Sequence, residues 1–116
     1  MAVRTLTERK AAAIAAKLAA LAILRPALAE RGRALGGRFL LYGSAARGEL
    51  RYDSDVDLLL DFPDAAAMSA AWDFAETECA RLGLEYDILP IGMCNARFLA
   101  HVLPEAISLP SPLSGS

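Results

Sequence analysis

From Asp55 to Phe62 the chain reads Asp-Val-Asp-Leu-Leu-Leu-Asp-Phe, and side chains on an extended strand alternate between its two faces. Val56, Leu58, Leu60 and Phe62 then share one wholly apolar face that must meet a core. Asp55 and Asp57 are forced out together on the opposite side, with β-carbons roughly 7 Å apart. Carboxylates so placed repel each other. They make sense around a divalent cation, and Mg²⁺ takes one or two carboxylates plus water and substrate phosphates.

The segment before this strand supplies the complementary chemistry. Phe39-Leu40-Leu41-Tyr42 is a short apolar run that reads as a buried strand, and it ends at Gly43-Ser44. A glycine allows close approach of a phosphate, and a helix starting at Ser44 aims free backbone amides at it. The Ser44 hydroxyl adds a hydrogen bond, and Arg47, one turn on, suits either a phosphate oxygen or an ion pair. Either half alone is commonplace: Gly-Ser is any capped turn, and Asp-x-Asp is often a solvated strand edge. Together, with ten residues (45–54) between Ser44 and Asp55, they place a phosphate cradle beside a carboxylate pair. A third acid, Asp87 in Glu85-Tyr86-Asp87-Ile88-Leu89, can point to the same face from a neighbouring strand. Three carboxylates can support two metals about 3.5–4 Å apart, and Asp87 would be the general base. Asp53 and Asp61 read as solvent or capping groups, His101 as a surface or packing residue, and Trp72 and Met68 as core.

Around this centre the pattern is helical. Thr5-Leu6-Thr7-Glu8 reads as a capping box. Ala11 to Leu24 then holds strong helix formers, with Ile14, Leu18 and Leu21 on one face. Pro26 is expected to kink or end that helix, or to open a short one through Arg31. Residues 65–82 carry Met68, Trp72, Ala75, Cys79 and Leu82 spaced by four and three, a one-faced helix. A third strand over 85–91 and a last helix over 96–107 follow. The expected layout is one domain over 1–116: a helical region at 1–36, a catalytic core at 37–108 and a flexible tail at 109–116.

Composition narrows the classes. A chain of 116 residues with 55% hydrophobic and 22% charged residues is a globular domain rather than a disordered one. Ten Arg and two Lys against fourteen acids give a net charge of −2, without the basic excess that phosphate-backbone binding needs. Nucleic-acid binding is therefore not expected. The longest apolar run, Leu18 to Leu24, is too short to span a bilayer. With no export signal, Cys79 and Cys94 read as reduced structural thiols, and the expected location is cytoplasmic.

Leu41-Tyr42-Gly43-Ser44-Ala45-Ala46-Arg47-Gly48 with Ser54-Asp55-Val56-Asp57-Leu58-Leu59 resembles the DNA polymerase β-like nucleotidyltransferases, and among them the minimal nucleotidyltransferases with their Gly-Ser-x10-Asp-x-Asp signature. The resemblance covers about residues 37–108, including Phe98-Leu99 and Val102-Leu103-Pro104-Glu105-Ala106, which resemble the family's closing helix. It implies an α/β (α+β) fold with a small mixed β-sheet, helices packed on one face and a long N-terminal helix ahead of it. It implies that Gly43 and Ser44 bind a nucleoside triphosphate, with Arg47 in support, and that Asp55, Asp57 and Asp87 hold Mg²⁺. Many minimal members are similar to antitoxins paired with a HEPN ribonuclease toxin, some of which transfer AMP from ATP to a toxin tyrosine. The implied activity is thus transfer of a nucleoside monophosphate, with a HEPN-type toxin as partner. The alternatives are a non-catalytic antitoxin that masks its toxin, and a small-molecule (antibiotic) nucleotidyltransferase dimerising through the first helix.

Overall fold

The computed structural model describes residues 5–112. Helix α1 (Leu6–Ala34) is a single element of 29 residues. Thr5 caps it: the Glu8 amide donates to Thr5 Oγ1 at 3.1 Å, as the capping sequence requires. The expected break at Pro26 does not occur. Pro26 and Ala22, the residue whose carbonyl loses its amide partner, are both exposed to water. Leu24 and Leu28, each fully buried, anchor the helix on either side. Its core face is Ala20, Leu21, Leu24, Leu28 and Gly32, not the expected Ile14-Leu18-Leu21 stripe. Leu18 and Ile23 stand half exposed outside it. The expectation from the Leu18–Leu24 run is also revised, because α1 as a whole is long and apolar enough to cross a membrane by length and composition. Here its Leu21, Leu24 and Leu28 belong to the domain's core.

Four strands form one mixed sheet in the order β3-β2-β1-β4. They are β1 (Arg38–Tyr42), β2 (Val56–Asp61), β3 (Tyr86–Pro90) and β4 (Ile107–Leu109). β1 runs antiparallel to both β2 and β4, whereas β2 and β3 are parallel. A parallel pair needs a crossover, supplied by α3 (Ala65–Arg81). Asp64 caps α3, accepting from the Ala67 amide at 2.8 Å.

The alternation in β2 holds. Val56, Leu58 and Leu60 join Phe39, Leu41 and Ile88 against α1 and α3. On α3 the fully buried positions are Ala71, Ala75 and Cys79, with Met68, Trp72 and Leu82 partly buried at the margins. The two alanines let the helix approach the sheet closely. The opposite face is covered as well. Leu40, Tyr42 and Leu59 pack under α4 (Ala96–Val102) and the 3₁₀ turn Ile91–Met93. The Tyr42 and Phe98 rings meet edge-to-face at 5.7 Å. Leu109, expected to open a flexible tail, is instead buried and paired with Phe39; residues 113–116 of that expected tail lie outside the described ones.

Gly32 sits where the end of α1 presses on β4. A Cβ there would stand 2.8 Å from the Leu109 carbonyl oxygen. Glycine-to-alanine substitution inside a helix ordinarily stabilises by about 0.5–1 kcal/mol. Here Gly32→Ala should reverse the sign and destabilise by about 1–3 kcal/mol. Thermal melting checks this: the substitution should lower the midpoint rather than raise it.

Candidate active site

The Gly-Ser turn lies where β1 ends. Gly43 has φ 73° and ψ −153° and is itself the N-cap of α2 (Ser44–Arg47), a single turn closed by Gly48 in the left-handed region. Ser44 is therefore the first residue of the helix and makes no capping bond. The Gly43 carbonyl accepts from the Ala46 and Arg47 amides. The Ser44 and Ala45 amides belong to the first turn, which has no intrahelical acceptor.

Gly43 is needed for a second reason besides its backbone angle. A Cβ at this position would lie 2.4 Å from Asp57 Oδ2. The Asp57 carboxylate thus rests against the bare α-carbon of Gly43, and the phosphate-cradle half of the sequence pattern touches its acidic half.

Register aligns the rest. Tyr42 is the antiparallel partner of Asp57, and Asp57 is the parallel partner of Asp87. Neighbouring strands lie about 4.8 Å apart, so Tyr42, Asp57 and Asp87 form a row across three strands on the face shared with Leu40 and Leu59. Asp55 stands exposed two residues before Asp57 and just ahead of β2. Its loop is tied to α1: Lys17 Nζ donates to the Ser54 carbonyl, and Lys10 lies 4.6 Å over the Tyr52 ring. These lysines were not marked by the sequence pattern, because only tertiary packing carries them to a loop more than 35 residues away.

Electrostatics single out Asp57. Burial, then repulsion from Asp87 and Asp55, raises its carboxyl above the usual range, and Arg47 offsets this only in part. Tyr42 is pushed up to about 12, by burial first and then by Asp57, Asp87 and Cys94. Among the described residues, Asp55, Asp57 and Asp87 make no hydrogen bond or ion pair with any side chain. Arg47 instead pairs with Glu49 at 3.0 Å and Glu105 at 3.5 Å. Asp61, expected to face solvent or a cap, pairs with Arg38 at 2.9 Å. His101 is exposed on α4. Cys79, its thiol pushed up to about 11 by burial, is a core residue.

Do these acids fit a divalent cation? Among the described residues no three His, Cys, Asp or Glu side chains are grouped as a ready metal cage, so the expected convergence of three acids is not preassembled. Adjacent carboxylates only partly offset by Arg47, one of them repelled by its neighbours, nevertheless fit a cation that completes its shell with water and phosphate oxygens. The acids sit on an open shelf. A cavity of about 480 Å³ lies at the opposite end of the strands, beside Gly37, Arg38, Asp61 and Phe62.

A mixed sheet with an acidic row at one end and a Gly-Ser turn touching it is the layout of an enzyme that handles nucleotides. The profile of the nucleotidyltransferase-domain family matches residues 21–99, and the chain belongs to that family. It is 33% identical over 67 residues to the protein adenylyltransferase MntA of Thermococcus cleftensis, a match covering 58% of this chain and 68% of that one. No solved structure matches the chain. The chain is a nucleotidyltransferase, and its substrate is a nucleoside triphosphate.

The raised pKa of Asp57 has a consequence for stability. Below the ordinary carboxyl value of 3.8 the group carries its proton whether the chain is folded or not, and nothing is lost. As pH climbs through the raised folded value, ionisation costs the fold stability. Asp57→Asn should therefore raise the melting temperature of the metal-free protein at pH 7 by about 2–5 °C, with the gain vanishing near pH 4. A variant no more stable than wild type at neutral pH would show that the repulsion is relieved within the protein.

Proposed function

We propose that the enzyme transfers AMP from ATP to a hydroxyl of a partner protein, and that the partner is the HEPN-type toxin of a cytoplasmic toxin–antitoxin pair. The observation that carries the reading is the contact of the Asp57 carboxylate with Gly43, beside the registered Asp57–Asp87 pair. Similarity to a protein adenylyltransferase supports a protein acceptor. So does the open shelf, which leaves room for the surface of another macromolecule.

In this reading the Ser44 and Ala45 amides and the Ser44 hydroxyl hold the triphosphate, with Arg47 at the rim once it leaves Glu49 or Glu105. Asp55, Asp57 and Asp87 would hold Mg²⁺, which supplies neutralisation of the phosphate charge. The acceptor oxygen attacks the α-phosphorus, forming a new P–O bond, and its proton passes to Asp87. The bond from that phosphorus to the bridging oxygen breaks and pyrophosphate leaves. Most of the rate gain comes from placement and electrostatic complementarity.

The test incubates the protein with α-labelled ATP, MgCl₂ and a HEPN-type protein encoded beside it. Label should appear on the partner and fall by about 100-fold or more with Asp55→Asn or Asp57→Asn. Transfer indifferent to both substitutions would overturn the site assignment. Protection of cells by Asp57→Asn equal to that by wild type would make masking, not catalysis, the biological activity.

A further inference from the structure

Tyr42 is the only residue of the second core layer's buried set with a polar side-chain atom. The residue is 8% exposed, and its ring is clamped by the edge of Phe98. Among the described residues the hydroxyl makes no hydrogen bond. Yet no buried side-chain oxygen or nitrogen among them lacks a partner. Both statements hold only if the phenolic oxygen reaches solvent. The strand register puts the Tyr42 α-carbon beside that of Asp57, in the row Tyr42-Asp57-Asp87 and directly before the Gly43-Ser44 turn, and the charges of Asp57 and Asp87 both reach the hydroxyl.

Packing alone does not call for this hydroxyl. Phenylalanine would fill the same space against Phe98, Leu40 and Leu59. A triphosphate held both by the Gly43-Ser44 turn and by the acids would lie next to Tyr42, which adjoins the one in sequence and the other in register. We infer that the Tyr42 hydroxyl is a substrate-binding donor that hydrogen-bonds a phosphate oxygen of the nucleotide, tying the cradle to the acidic row. This rests on the nucleotide-binding geometry proposed above.

Tyr42→Phe removes the donor and keeps the ring, so the melting temperature should stay within about 2 °C of wild type. Calorimetry with MgCl₂ and a non-hydrolysable ATP analogue should show affinity weakened about tenfold, the scale of one hydrogen bond to a charged group. Phe98→Leu, which loosens the ring but spares the hydroxyl, should weaken binding less. Tyr42→Phe binding the analogue as tightly as wild type would overturn the inference and leave the proposed function standing. Weakened binding accompanied by a matching fall in melting temperature would also overturn it, since the loss would then be structural. A wild-type protein that takes up no analogue at all would remove the nucleotide geometry, and this inference with it.

Discussion

The pairing of β1 with β2 in one particular register holds the functional end of this protein together. It sets Tyr42 opposite Asp57 and brings the Asp57 carboxylate onto the bare α-carbon of Gly43. A slip of one residue would turn every side chain of β2 to the other face. Val56, Leu58 and Leu60 would leave the main core, and the acids would be driven into it. Because Leu59 is also fully buried, under α4, the strand is held from both faces. The register is therefore secured by packing on both sides of the sheet rather than by the turn alone.

That packing forces a concentration of negative charge that the fold does not neutralise. Arg47, the cation whose charge acts on Asp57, spends its donors on Glu49 and Glu105, and Arg38 is taken by Asp61 at the far end. The acidic row is thus costly in the metal-free protein, as the upward shift of the Asp57 carboxyl shows. Strain of this kind is common where a site is built for a charged ligand. It is relieved by whatever brings positive charge to the row.

Helix α1 connects the two ends of the molecule. Its last turns press Gly32 against β4, while its first half reaches past the acidic end of the sheet, where Lys10 and Lys17 hold the loop that carries Asp55. A helix of 29 residues is about 43 Å long, more than twice the length of a six-residue strand, so one part must overhang. The overhang is used to steady a loop that has little core of its own. The family match begins at residue 21, and the loop-holding lysines lie before it.

How much of this could be read from the residues alone follows from the range of the forces. Alternation in residues 55–62 demanded a strand with Asp55 and Asp57 on one side, since burial of apolar side chains acts locally at a period of two. The Gly-Ser and Asp-x-Asp spacing pointed to the chemistry, and capping by Thr5 is likewise a property of a few consecutive residues. Pro26 misled because its cost depends on whether the orphaned carbonyl meets water, which only the helix's orientation in the fold decides. The partners of Arg47 and Asp61, the reach of Lys10 and Lys17, and the exposure of the Tyr42 hydroxyl depend on strand register and helix docking. Those are set by how the whole core packs, and no local stretch of sequence encodes them.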